Sequence, residues 1–208
     1  EMCIRDSPWV EQAFNTKKYA FAADYIRLYA LYHHGGIYLD SDVEILKSLD
    51  NFLELPYFVG AETSGTIEAA ILGAEKGCDW IKCCLDYYEG RNFIREDGSY
   101  DIRMLPEILN ETILRLKPVI NMPSGSNIDD LKKKDLGEAV YVLPKEYFSP
   151  KVFDSREVFL TPETHAIHHY QNSWFSHKAF AYYRTRTLFI KIFGYKAVRS
   201  LEKMLLKR

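Results

Sequence analysis

The chain lacks the features that identify several common classes of protein. No apolar run among its 208 residues reaches the length of a membrane-spanning helix. No phosphate-cradling glycine loop and no Ser-His-Asp set stands out, and no segment is repeated or of low complexity. Any chemistry must therefore come from another arrangement of residues.

Cysteine is scarce, and its spacing matches no metal site. The four cysteines are Cys3, Cys78, Cys83 and Cys84. Cys83 and Cys84 fall in a predicted helix, with Cys78 just before it. We predict that these are reduced core thiols, which fits a cytoplasmic location.

Net charge is also low, at −2, but it is unevenly distributed. Residues 1–176 contain 18 basic and 28 acidic residues, a net charge of −10, whereas residues 177–208 contain nine basic residues and one acidic residue. The acidic body disfavours nucleic acid as a partner. The tail mixes cations with aromatic and aliphatic residues, as helices on membrane surfaces do. We expect it to attach peripherally to anionic lipid at the inner face of the plasma membrane; the alternative is a basic helix packed on the acidic body.

The most informative segment is Gly-Gly-Ile-Tyr-Leu-Asp-Ser-Asp at residues 35–42. A short apolar run after two glycines predicts a buried strand, and Asp40 and Asp42 come at its end. Two carboxylates at a strand end suit a hard divalent cation such as Mg²⁺ or Mn²⁺. Asp-x-Asp alone is a weak signal, because a solvated turn has the same pattern.

A helix is predicted just before this strand, over residues 16–34, with Gly35 as its C-terminal cap. Asp24 and Arg27 lie three positions apart and therefore project from nearly the same side of the helix. A charged pair on a largely apolar face is costly to bury unless it is paired or holds a ligand. An ordinary intrahelical ion pair is the simpler interpretation.

The pattern DYxRLxALxxxGGIYLDSDVE at residues 24–44 resembles the sugar-binding region of Asp-x-Asp glycosyltransferases. Glycosyltransferase family 32, with its capsular polysaccharide enzymes and initiating mannosyltransferases, shows this pattern, and the catalytic domains of clostridial glucosylating toxins are distantly similar. The resemblance extends over most of residues 8–176. It implies an α/β fold of the GT-A nucleotide-diphospho-sugar transferase type, a Rossmann-like mixed sheet flanked by helices, truncated at its N-terminus.

The resemblance also implies roles for individual residues. Asp24 and Arg27 would hydrogen-bond the hydroxyls of the donor sugar, and Tyr38 would line the nucleotide pocket. Asp40 would touch the ribose or the sugar and reach the metal through water, and Asp42 would ligate it directly.

A second motif, Ala-Ile-His-His-Tyr-Gln-Asn-Ser-Trp at residues 166–174, resembles the family's late His-rich segment. By this resemblance His169 would be a further metal ligand, with His168 as second choice, and Ser173 and Trp174 would lie against the diphosphate. An imidazole beside carboxylates favours Mn²⁺ over Mg²⁺.

The implied activity is metal-dependent transfer of a sugar from a UDP- or GDP-sugar to a glycan or lipid-linked acceptor, with retention of anomeric configuration. Surface polysaccharide biosynthesis, capsular or lipopolysaccharide, is the implied setting. Two alternatives stay open. One is a haloacid-dehalogenase-like phosphohydrolase, although Glu44 stands where that family has Thr or Val. The other is a noncatalytic metal- or glycan-binding relic.

The remaining expectations concern organisation. Residues 1–7 (EMCIRDS) look like an adapter-derived scar, residues 8–176 like a partial glycosyltransferase domain, and 177–208 like a basic amphipathic tail. Strands are predicted at 57–61 and 139–143, and helices at 67–76, 79–88 and 104–116. Residues 121–137 are predicted to form a loop.

Overall fold

The described chain combines helices with short strands, so the expected mixed α/β class is confirmed. The computed structural model describes residues 7–63, 65–153, 156–171 and 177–205. Seven α-helices are described: α1 Pro8–Asn15, α2 Tyr19–His34, α3 Asp79–Asp86, α4 Leu105–Leu116, α5 Ile128–Lys132, α6 His177–Phe193 and α7 Tyr195–Leu205. The described strands are β1 Gly36–Leu39, β2 Val43–Ile45, β3 Tyr57–Ala61, β4 Ile67–Ala74, β5 Val119–Asn121, β6 Val140–Val142 and β7 Ala166–His168.

The largest sheet has the order β1-β4-β3, and both of its pairings are antiparallel. β4 is central and every residue of β3 and β4 is buried. A parallel bridge between Gly60 and Leu143 joins β3 to the segment that follows β6, and β6 pairs with β5. The GT-A arrangement of these strands stays a prediction.

The helix that carries Asp24 and Arg27 ends at the predicted place. α2 stops at His34, and Gly35 follows with a φ of +69°, a conformation that glycine adopts without a steric penalty. The unpredicted α1 packs on α2, with Trp9 fully buried and its Nε1 donating a hydrogen bond to the carbonyl of Phe21 at 3.2 Å. A proline at the first helical position favours the start of α1, because no partner is needed there for its missing N–H.

Two sequence expectations about the sheet were wrong. The predicted helix at 67–76 is strand β4, because its run IEAAILGA is buried on both faces and so has no periodicity to distinguish the two structures. The predicted buried strand, β1, is instead half-exposed, with Leu39 39% exposed, because it pairs on one side only within the described residues.

Other elements follow the expectations more closely. The strand predicted at 57–61 is present with the same bounds, and the helices predicted at 79–88 and 104–116 and the strand at 139–143 are present with slightly shorter bounds. The predicted loop at 121–137 contains α5, whose start carries a capping box between Asn127 and Asp130. Cys78, Cys83 and Cys84 are free thiols, and burial raises the pKa of Cys78 to about 11.

α6 and α7 form a helical pair, which we call the C-terminal hairpin. Arg186 of α6 pairs with Glu202 of α7 at 2.7 Å, and the hydroxyl of Tyr182 donates to the same carboxylate at 3.2 Å. Phe153 contacts the ring of Tyr183 edge-on, with ring centroids 5.5 Å apart. No helix in the described part of the chain is long and apolar enough to cross a membrane.

Gly73 is needed in β4 because the ring of Phe58 lies against its backbone. A Cβ at residue 73 would lie 2.0 Å from Cε1 of Phe58, which is itself 1% exposed and cannot swing into solvent. We therefore expect Gly73→Ala to lower the free energy of unfolding by about 1–3 kcal/mol, measured by urea denaturation. In a Phe58→Leu background the same substitution should cost clearly less, because the smaller side chain leaves room. Equal costs in both backgrounds would contradict the steric explanation.

Candidate functional site

Arg27 is the centre of a buried ion network at the end of β1. Its guanidinium contacts Asp24 at 3.1 Å and pairs with both oxygens of Asp40 at 3.3 Å, an arrangement that fixes the orientation of both groups. Nη1 also donates to the carbonyl of Ala69 at 2.7 Å, and the guanidinium lies 4.6 Å from the ring centroid of Tyr38. The expected Asp24–Arg27 pair is therefore real, and it extends to the motif aspartate.

One polar atom of the network, Nε of Arg27, is buried and has no hydrogen-bond partner among the described residues. The hydroxyl of Tyr38 donates to Asp40 at 2.7 Å, so this tyrosine restricts the orientation of the aspartate side chain. Burial raises the pKa of Asp24 to about 7, against the opposing attraction of Arg27.

A second group forms where β2 pairs with β7. The antiparallel register sets Val43 opposite His168, and the backbone N–H of His169 donates to the carbonyl of Asp42 at 3.0 Å. The pairing brings the His-rich segment to the aspartate motif. One potential ligand atom from each of Asp40, Asp42 and His168 lies within 4.8 Å of the other two.

The structure places His168, the second choice from sequence, at this cluster. His168 Nε2 lies 3.6 Å from Asp42 Oδ2, and its side chain is 14% exposed. Side chains alternate between the two faces along an extended strand. The ring of His169 accordingly lies on the other side, 2.8 Å from Glu44 and 3.3 Å from Lys151. The expectation of His169 as the ligand therefore does not match the geometry.

Two further residues of this segment were expected to lie against the diphosphate. Ser173 and Trp174 lie outside the described residues. Gln171 is the last described residue before them, and its backbone N–H donates to Asp42 Oδ2 at 2.8 Å. The last described residue of this segment therefore lies beside Asp42.

Glu68 is a site residue that the sequence reasoning missed. It is the one charged residue of β4 and is only 3% exposed. Its Oε2 lies 3.1 Å from His168 Nδ1. Burial opposes ionisation, but hydrogen bonds from His168, Ser149 and the Ala70 amide outweigh it, so the pKa of Glu68 is lowered. A single carboxylate within an apolar run was the available signal, because buried acids need partners.

The cluster fits a divalent cation. Two carboxylates and one imidazole form a donor set suited to Mn²⁺, and ligands about 2.1 Å from an ion lie up to about 4 Å apart. The observed separations of up to 4.8 Å therefore require only a small inward movement of the side chains. Asp40 is already bound by Arg27 and Tyr38, which leaves Asp42 and His168 as the more available ligands.

Comparison with known proteins gives an independent indication for the same region. Residues 1–59 match a family model described as "Glycosyltransferase sugar-binding region containing DXD motif". This range contains the motif aspartates and the Asp24–Arg27 pair. No solved structure matches the chain significantly.

Two curated proteins are similar over part of the chain. Inositol phosphoceramide mannosyltransferase 3 of Schizosaccharomyces pombe is 35% identical over 78 residues, 37% of this chain and 22% of the relative. Glucan organizing enzyme 1 of Cryptococcus neoformans is 38% identical over 65 residues, 31% of this chain and 18% of the relative. The chain therefore covers only about a fifth of the length of these relatives. Together the matches make part of this chain similar to the sugar-binding region of glycosyltransferases.

The raised pKa of Asp24 gives a pH-dependent contribution to stability. Between the unfolded value of 3.8 and the folded value of about 7, the folded state keeps a proton that the unfolded chain has released. Stability from this group is therefore present at low pH and is lost as the pH rises through about 7. From about pH 5 to about pH 8 the wild type should lose about 2–3 kcal/mol more than Asp24→Asn, measured by urea denaturation. Asp129→Asn, at an exposed position, is the matched control and should keep the wild-type slope. An unchanged slope in Asp24→Asn would contradict the assignment.

Proposed function

We propose that the protein containing this chain is a divalent-metal-dependent glycosyltransferase that takes a sugar from a nucleotide-sugar donor. The observation that carries the proposal is the convergence of Asp40 and Asp42 with His168 through the β2–β7 pairing. The Asp24–Arg27 pair beside them supports it, because sugar hydroxyls are recognised by charged donors and acceptors held in fixed positions.

The buried ion network would hold and orient the donor sugar. Arg27 is fixed by two carboxylates and a backbone carbonyl, so it loses little freedom when it binds. Asp24, once ionised, accepts hydrogen bonds from sugar hydroxyls. The catalytic gain from these residues is positional.

The cluster of Asp40, Asp42 and His168 would hold Mn²⁺, or Mg²⁺, against the donor diphosphate. A cation bound there supplies Lewis-acid stabilisation of the negative charge that develops on the leaving group. Ser173 and Trp174 are proposed to add hydrogen bonds to the same charge, each contributing about 2–4 kcal/mol if well aimed. We identify no covalent nucleophile, so front-face displacement with retention is the mechanism we favour.

The acceptor is proposed to be a glycan or a lipid-linked glycan in surface polysaccharide synthesis. The fission yeast relative favours a lipid acceptor, because inositol phosphoceramide is the mannosylated substrate in the name of that protein. UDP- and GDP-sugars are the donors to screen, and neither base is favoured by the described residues.

Asp42→Asn tests the proposed metal ligand directly. We expect the substitution to lower Mn²⁺-dependent hydrolysis of the sugar nucleotide at least about a hundredfold, because the amide removes the ligand charge. Activity is measured with UDP- and GDP-sugars on the protein containing this chain. Asp129→Asn, the same chemical change at an exposed position, should keep full activity. Near-normal turnover of Asp42→Asn would refute the site, and hydrolysis of a simple phosphomonoester alone would favour the phosphohydrolase alternative.

We also propose that the C-terminal hairpin attaches the protein to an anionic membrane surface on its cytoplasmic side. The hairpin exposes a set of large apolar side chains, more than a soluble surface usually carries in one place. They are Leu188, Phe189, Ile192, Phe193, Leu201 and Met204. A groove of about 990 Å³ lies between its helices and Phe153.

Basic residues accompany this apolar surface. Arg184, Lys191, Lys196 and Arg199 of the hairpin are all exposed. Apolar burial at the headgroup boundary combined with attraction to anionic lipid is how interfacial helices bind. The body, with its net negative charge, would be held away from the same lipid.

Lys191→Glu/Lys196→Glu tests this attachment. Each basic residue near an anionic surface contributes about 1 kcal/mol, so reversing two charges should weaken binding at least about tenfold. Binding is measured by sedimentation at low salt with phosphatidylcholine vesicles, with and without phosphatidylserine. The control Lys133→Glu/Lys134→Glu makes the same charge change on an exposed part of the body and should leave binding nearly unchanged. No sedimentation of the wild type with phosphatidylserine would contradict the attachment.

A further inference from the structure

Burying the carboxylate of Glu68 is unfavourable in free energy, because the charge is removed from water. It lies in β4 between apolar neighbours and is 3% exposed, and an ionised carboxylate in such a place needs several partners. Nothing in its strand requires a charge, because both neighbouring pairings of β4 are made by backbone groups.

Its contacts are one backbone N–H of its own strand and three side chains around the metal cluster. Oε1 accepts the backbone N–H of Ala70 at 2.9 Å. Oε2 accepts a short hydrogen bond from Ser149, faces His168 Nδ1 at 3.1 Å and lies 3.4 Å from the hydroxyl of Tyr170. Three side chains therefore converge on one carboxylate oxygen.

The contact with Glu68 determines which nitrogen of the His168 ring carries the proton. A carboxylate oxygen can only accept, so Nδ1 must carry the proton in the contact with Glu68. In the neutral ring Nε2 then has a free lone pair, and this atom lies 3.6 Å from Asp42 Oδ2. The opposite tautomer would direct an N–H at the aspartates, and His168 could not bind a cation there.

We propose that Glu68 is the positioning residue of the metal site: it holds His168 with Nε2 unprotonated and directed at Asp42. The inference rests on the proposed function, because it requires a divalent cation between Asp42 and His168. Carboxylates in this relation to a ligating imidazole also raise the basicity of its metal-binding nitrogen. The ring of Tyr170, whose centroid is 4.0 Å from that of His168, restricts the remaining rotation of the imidazole.

Glu68→Gln is the informative variant. Glutamine has nearly the same shape and can still accept from Nδ1, but it lacks the charge and can also donate to the ring. We expect Mn²⁺ affinity to fall about 10–100-fold. Affinity is measured on this chain by the electron paramagnetic resonance signal of free Mn²⁺, without donor or turnover. Ser149→Ala is the matched control, because it removes another partner of the same oxygen and leaves the Glu68–His168 contact in place.

Imidazole ¹⁵N shifts of the metal-free protein at alkaline pH provide a second, independent measurement. The wild type should show His168 protonated on Nδ1 only, whereas Glu68→Gln should show a mixture of the two tautomers. Unchanged Mn²⁺ affinity or an unchanged tautomer in Glu68→Gln would overturn the proposal, as would an equal loss of affinity in Ser149→Ala. A wild type with the expected tautomer but no Mn²⁺ binding would instead remove the proposed metal-dependent function, and with it the role of Glu68 toward a cation.

Discussion

The site depends on a three-residue strand pairing. Val43–Ile45 and Ala166–His168 are joined antiparallel, and they bring together groups as far apart in the chain as Glu44 and His169, 125 positions. Closing a loop of this length costs entropy, but the cost grows only slowly with length. The buried sheet and helices between the two strands hold them in position, so a ladder of three residue pairs is enough to join them. No single local element contains the site.

Electrostatics in the site is organised as two neighbouring buried sets. In one, Arg27 is shared by Asp24 and Asp40; in the other, Glu68 faces His168. The first set pairs opposite charges, and the second places the carboxylate of Glu68 against an imidazole N–H. Both lie largely out of water, which is tolerable only where hydrogen bonds satisfy most of the remaining atoms. The two sets meet at the aspartate motif, where an arginine lies on one side and an imidazole on the other. A charged ligand at the motif would thus meet groups that are already oriented.

The local part of this arrangement was readable from the sequence. The helix ending at Gly35, the Asp24–Arg27 spacing and the strand before Asp40 are all short-range patterns, and the structure contains each of them. The long-range part was not readable. Choosing between His168 and His169 requires the register of β7, and a shift of one residue changes the face of every side chain. The role of Glu68 was hidden in a strand that helix-forming residues made look helical, and the partners of that carboxylate come from other parts of the chain.

The two consecutive histidines have a consequence for how this segment can change. On an alternating strand, adjacent positions face opposite sides, so a chain with imidazoles at both places always turns one of them inward. If the ladder keeps its register, the loss of one amino acid in the connection before β7 would place His169 in the position of His168 and leave an imidazole beside the acidic pair, whereas the gain of one would place Ile167 there. The pair of histidines therefore preserves an inward imidazole when the connection shortens by one residue but not when it lengthens by one.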